Sequence, residues 1–282
     1  MSGSYWEQVL ADDLAVPTDR PLADLTAELT RMLGDADPAR RDGLALPTLG
    51  TWVQRGVYDD LLPGLGDGMA AGLTIGLGEN GTDTVFRRSF SALVLGACIA
   101  RDNRRPLVLG GKVLEWGDRI ATWLLRERDT RGLVPGKGWA HAVAHGADAI
   151  GTLARSPHLS APELTVLLDV VADRVLAPVD HLWVHGETDR LAMSVVSVLR
   201  RELVPVGVLE PWVNRLAAHA DSERSTADDP YLVTGNAQAF LRSLYLLLAV
   251  GPRPPQTRSD LLLVLVDALR RTNFSLAPAG HH

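Results

Sequence analysis

The stretch Gly136-Lys137-Gly138-Trp139-Ala140-His141-Ala142-Val143-Ala144-His145-Gly146-Ala147-Asp148-Ala149-Ile150-Gly151-Thr152-Leu153-Ala154 is the one around which the chain is organised. On a helix turning about 100° per residue, His141, His145, Asp148 and Thr152 fall within about 60° of one another. Trp139, Val143, Ile150 and Ala154 take the opposite side, and Ala140, Ala144, Gly146, Ala149 and Gly151 lie between. A surface helix carries Glu, Lys or Arg on its outer face, yet Asp148 is the only formal charge from 139 to 154. The spacing therefore predicts an interior helix, packed closely on both flanks, whose polar stripe faces a cleft or a buried network.

Working outward, Glu127-Arg128-Asp129-Thr130-Arg131-Gly132 ends the helix before it. Pro106 is expected to open that helix, with Val113, Trp116, Ile120, Trp123 and Leu124 turned inward. Upstream again, Val85 to Ala100 is apolar nearly all round, a central helix capped by Asp83 or Thr84. Downstream, Ser160-Ala-Pro-Glu163 is a capping box that opens a helix over 161–176. Further helices are expected over 187–202, 207–220, 231–249 and 259–272, the last capped by Ser259. Near the start, 4–14 makes a short helix and 22–33 repeats leucine at helical spacing. Asp37-Pro38 signals a helix start; that helix is interrupted by Pro47 and closes near Gly56. Residues 58–77 look helical but glycine-studded. Strand signals are nearly absent, Leu182-Trp183-Val184 being the one short candidate.

The helices come in pairs that start near residues 38, 83, 138, 188 and 231, at spacings of about 43–55 residues, a loose version of the HEAT-type period of about 40–47. The fold expected is all-α: a HEAT-like stack of antiparallel helix pairs, an α-solenoid, with an α/α toroid as the competitor. One helical domain spans 1–282, with an N-terminal extension over 1–34, a core over 35–220 and a C-terminal helix pair over 221–282.

Composition narrows the function classes. The 282 residues are 46% hydrophobic and 22% charged, enough to bury a sizeable core. A net charge of −6 and a pI near 5.7 argue against nucleic acid. The single Cys98 allows no disulfide or cysteine-metal framework. No basic and apolar blocks of a signal peptide open the chain, and no run of eighteen apolar residues exists, so no membrane span is expected and the cytoplasm is the default. His281 and His282 read as a tail.

Three segments, Gly78 to Leu93, Glu127 to Gly132 and Lys137 to Asp148, together with Glu187-Thr-Asp-Arg-Leu-Ala192, resemble the bacterial DUF2785 family, over roughly residues 35–220. The Trp139-Ala-His141-x3-His145-Gly-Ala-Asp148 string is the specific part. The resemblance implies an all-helical, repeat-like fold and no established activity. It also implies two acids near 187–189, met by Glu187 and Asp189; Arg87 departs from the family's small polar residue at its position.

The candidate chemistry centres on His141 and His145, whose i, i+4 spacing suits two imidazoles on one metal ion. Ala142 stands where the zinc-protease helix has its glutamate, and a third ligand would have to come from Asp148, His185, Glu187 or Asp189. Three uses stay open: a metal pair, a buried structural network, and a metal-free ligand or catalytic site in which a histidine shuttles protons. No metal or cofactor is expected. In the catalytic version His141 or His145 is the acid/base and Asp148 or Glu187 the orienting acid. Arg88 with Arg131 would clamp an anion, with Ser89, Lys137, Trp139 and Asp189 as further ligand contacts. Arg88, in the first turns of an apolar helix, otherwise wants Glu127 or Asp129 as a salt-bridge partner. Whether the protein is an enzyme is left open. The partner expected is a small polar or anionic ligand in a concave cleft; the alternative is a non-catalytic scaffold that binds a protein.

Overall fold

The computed structural model describes residues 2–221, 227–273 and 276, and the His281–His282 tail lies outside them. Among the described residues the chain is all-α apart from one two-stranded hairpin. Its contacts cluster into two compact units, 1–149 and 150–282. No helix among the described residues is long and apolar enough to cross a membrane.

The first unit opens with α1 (Ser2–Ala11) and α2 (Leu22–Met32). The α3 turn (Pro38–Arg40) starts as the Asp37-Pro38 signal predicts: the Asp37 side chain accepts from Ala39 N at 2.9 Å. The interruption comes just before Pro47 rather than at it. A widened π turn over 41–45 leads into α4 (Leu46–Arg55), so Pro47 sits in the first turn of a new α segment, where its missing N–H does least harm. Gly56, at φ +81°, ends α4 in the left-handed conformation. After α5 (Leu62–Gly72) comes α6 (Thr84–Arg104), packed against α4 and α5 and buried on nearly every side, as its apolar sequence requires. α7 (Gly110–Arg126) begins four residues after Pro106 rather than at it. Gly66 of α5 faces the Trp116 ring of α7 so closely that a β-carbon there would stand 2.1 Å from it.

The main departure comes next. Residues expected to be the first turn of the organising helix are a β-hairpin, β1 (Leu133–Val134) against β2 (Gly138–Trp139). Val134-Pro135-Gly136-Lys137 makes the turn: Lys137 N donates to Val134 O at 3.0 Å, and Gly136 takes φ +74°. Proline followed by a left-handed glycine is a type II turn, and it overrides the helical spacing. α8 (Ala142–Ala154) therefore starts after His141, and the division between the units falls inside it. The small residues of α8 do allow close packing. A β-carbon on Gly146 would meet Leu124 Cδ1 of α7 at 2.6 Å, and one on Gly96 of α6 would lie 3.6 Å from Ala149 Cα.

The second unit continues with α9 (Ala161–Leu176), α10 (Glu187–Leu199), α11 (Val206–His219), α12 (Pro230–Val250) and α13 (Arg258–Thr272). The capping box closes α9 from both directions, with Ser160 N donating to Glu163 at 2.9 Å. α9 packs on α11 and α11 on α13, while α10 packs on α12, so alternate helices lie side by side. Thr257, not Ser259, stands at the start of α13. Leu182–Val184 is not a strand.

Candidate functional site

The hairpin and the start of α8 bring the histidines together in a way the helical reading did not foresee. His141 is not on the helix. It holds φ +48°, its N–H donates to Arg131 O at 3.0 Å, and its carbonyl accepts the first bond of α8 from His145 N at 2.9 Å. Its ring stacks on Trp139, centroids 4.4 Å apart and planes 20° from parallel. Trp139 was expected on the far face of a helix; on the hairpin it is 40% exposed. His145 lies edge-on to His141 at 5.8 Å and to Phe90 at 5.2 Å, and it is buried. Asp148 follows on α8, one turn beyond His145 and half-buried.

Ser89 fixes the state of His145. Its hydroxyl has a single proton, and the Ala140 carbonyl, a pure acceptor, takes it. The 2.6 Å contact between Ser89 Oγ and His145 Nδ1 must then be donated by the ring. His145 is thereby held with a proton on Nδ1. Ser89, fully buried with its proton aimed away from the imidazole, has neither the access nor the activation of a nucleophile. It is a strut, not a ligand contact.

Arg88 also leaves the list of ligand contacts. It is fully buried and pairs bidentately with Glu127, Nε to Oε2 at 2.5 Å and Nη2 to Oε1 at 2.9 Å. Its Nη1 serves Ile75 O, Gly76 O and Thr84 Oγ1, each at 2.9 Å. With every donor nitrogen engaged inside the unit, it cannot clamp an anion; the salt-bridge reading of Arg88 is the one the geometry supports. Glu127 accepts in addition from Trp123 Nε1 at 2.9 Å and from Asp129 N at 3.0 Å.

Arg131 and Lys137, the other cations expected to contact a ligand, are matched as well. Arg131 grips Asp129 through Nε at 2.8 Å and Nη2 at 2.6 Å, and Nη2 also reaches Thr82 O at 2.8 Å. Hydrogen bonding to the Asp129 carboxylate, reinforced by its charge, pushes the Arg131 guanidinium above its usual range. Lys137 Nζ meets both oxygens of Asp83 at 2.7 and 2.8 Å on the surface. Arg88, Arg131 and Lys137 thus each already face a carboxylate.

A residue the sequence did not flag positions the hairpin. Arg41, fully buried, donates from Nη2 to Lys137 O at 2.7 Å and lays its guanidinium over the rings of Phe86 (4.0 Å) and Phe90 (4.9 Å). A β-carbon on Gly138, itself at φ +78°, would come within 3.1 Å of that nitrogen. An arginine amid the apolar positions of the 38–55 helix was the available signal.

Glu187 and Asp189 belong to the second unit, where each has local work. Glu187, buried at the start of α10, accepts from His185 N at 2.8 Å, and its other oxygen is 3.9 Å from His185 Nδ1. Asp189 accepts from Ser243 Oγ of α12 at 2.5 Å. Among the described residues no group of three or more His, Cys, Asp or Glu side chains is placed to hold a metal ion. A cavity of about 500 Å³ in the first unit lies elsewhere, between α2 and residues 58–69, with none of these residues in its wall.

The family described as "Protein of unknown function (DUF2785)" matches residues 73–246, starting later than the resemblance read from the sequence and reaching into α12. No curated protein matches, and no solved structure does.

Proposed function

This chain belongs to the DUF2785 family, whose description assigns no activity, and we propose that it is a helical-repeat binding protein that takes a small polar molecule at the junction of the hairpin and α8. One observation carries this: His141 is kept in a left-handed backbone conformation, unusual for a side-chain-bearing residue, with its ring stacked on the exposed Trp139. Strain of this kind collects at ligand sites, where surrounding structure must over-determine it. Behind the stack, His145 supplies a ring whose tautomer is already set. Because Arg88, Arg131 and Lys137 each face an acid, an uncharged polar ligand suits the junction better than an anion does. Proton transfer through the His145 ring is the chemistry this site would add.

The side-by-side packing of α9, α11 and α13, and of α10 with α12, supports the HEAT-like arrangement within this reading. The net charge of −6 supports leaving nucleic acid aside. A cytoplasmic setting is supported by the lone buried Cys98.

The test is a thermal-shift panel of sugars, amides, carboxylates and phosphates against the wild type, Trp139→Ala and His145→Ala. Stabilisation by an uncharged polar class that disappears in Trp139→Ala supports the site. No stabilisation by any class, or stabilisation indifferent to Trp139, transfers the case to the protein-binding scaffold, which the exposed Leu246 and Val250 of α12 and Leu263 of α13 favour.

A further inference from the structure

The cavity between α2 and residues 58–69 has its own chemistry, independent of the histidine junction. About 500 Å³ in volume, it falls in the range of small-molecule sites. Its wall is mostly apolar, with Leu22, Ala23 and Ala27 of α2 on one side and Leu65, Gly68 and Met69 of α5 among the rest. No β-carbon added at Gly64 or Gly68 would meet another atom within 4 Å. The space is therefore an opening rather than a tight helix crossing.

Its polar groups have a definite sense. Thr26 Oγ1 donates to the Leu22 carbonyl at 2.7 Å, which uses its only proton. The 2.8 Å contact between Thr26 Oγ1 and Tyr58 Oη must then be donated by Tyr58, which uses that proton too. Burial keeps the Tyr58 phenol protonated, its pKa pushed up to about 12. What this relay offers the cavity is oxygen lone pairs, not N–H or O–H donors. Asp60 is the only charged residue in the wall, exposed and without an ion-pair partner among the described residues. An apolar interior, buried acceptors and one carboxylate at the rim complement a ligand that brings both an apolar body and a donor-rich cationic head.

We propose that this cavity binds small amphiphilic amines, with the apolar body between α2 and α5 and the ammonium group against Asp60 and the Tyr58–Thr26 oxygens.

Three matched probes test it: 4-phenylbutylamine, 4-phenylbutanol and 4-phenylbutanoate, titrated calorimetrically into the full chain. The amine is expected to bind tightest, the alcohol more weakly and the carboxylate least. Asp60→Asn should weaken the amine up to about fivefold, the scale of an exposed ion pair, and leave the alcohol unchanged. Gly68→Trp, which fills the cavity from an open helical position and so preserves folding, should abolish all binding. Equal affinity for amine and carboxylate overturns the assignment, as does amine binding that survives Gly68→Trp. No binding by any probe overturns it too. A concentration-dependent dimer in the wild type that Gly68→Trp dissolves would show instead that a second copy of this chain fills the groove.

Discussion

Arg88 Nε and Glu127 Oε2 meet 2.5 Å apart with neither side chain exposed at all. Glu127 also holds Trp123 Nε1 and the Asp129 amide, so this one carboxylate ties α6, α7 and the approach to the hairpin together. Arg88→Met leaves it buried without its cation, and breaking such a pair costs about 3–5 kcal/mol. The double variant Arg88→Met/Glu127→Leu should recover less than half of that. It still strands the Trp123 and Asp129 donors and the Ile75 and Gly76 carbonyls, and each such orphan costs about 1–3 kcal/mol. Urea unfolding measures both. Full recovery in the double variant would reduce Glu127 from a hub to a simple counter-ion.

The proton count at Ser89 gives a spectroscopic prediction. ¹⁵N correlation spectra of the His145 ring should show the proton on Nδ1, because Ser89 has given its own to Ala140. Ser89→Ala should cost about 1–3 kcal/mol, since it removes the partner of a buried carbonyl and of a buried ring N–H together. A ring protonated on Nε2 in the wild type would contradict the assignment and make Ser89 the donor to His145.

Much of this framework can be read from residue patterns, and the reason is local. Asp37-Pro38 and Ser160-x-x-Glu163 are caps whose chemistry acts within four residues, and both form as written. The apolar surround of α6 demands burial wherever the helix ends up, and the same logic gives Arg88 its carboxylate. The hairpin is the instructive failure. Two histidines four apart, set among alanines, suit a helix so well that they hide the Pro135-Gly136 turn and the left-handed Gly138 beside it. The turn has its own Pro-Gly signal; what no nearby residue supplies is the guanidinium of Arg41, which comes from nearly a hundred residues away to bind the Lys137 carbonyl. No local pattern encodes that contact.

Buried protons should shape the alkaline limb of the stability curve. Burial raises Tyr58 from 10.0 and Cys98 from 9.0, both to about 12. The folded state then keeps protons that the unfolded chain releases. This stabilising contribution is whole below about pH 9 and is lost as pH rises towards 12, at about 1.4 kcal/mol per pH unit for each group titrating only in the unfolded chain. Urea midpoints at pH 7, 9, 10 and 11 should hold level and then fall. Tyr58→Phe should flatten only the part above pH 10. A midpoint unchanged from pH 7 to 11 would show that neither group is buried as described.

The backbone of His141 separates stability from binding. A left-handed conformation costs a residue with a β-carbon about 1–2 kcal/mol, and the stack on Trp139 returns about 0.5–1.5 kcal/mol. His141→Ala keeps the strain and loses the stack, so it should destabilise by roughly the value of the stack. His141→Gly loses the same stack but relieves the strain, so it should be about as stable as the wild type. If the conformation exists to present the imidazole, the glycine variant will be folded, stable and deaf to any ligand that stabilises the wild type. Thermal melts with and without that ligand read both quantities. Should His141→Gly melt as low as His141→Ala, backbone strain is not what holds this residue, and the observation behind the binding site loses its meaning.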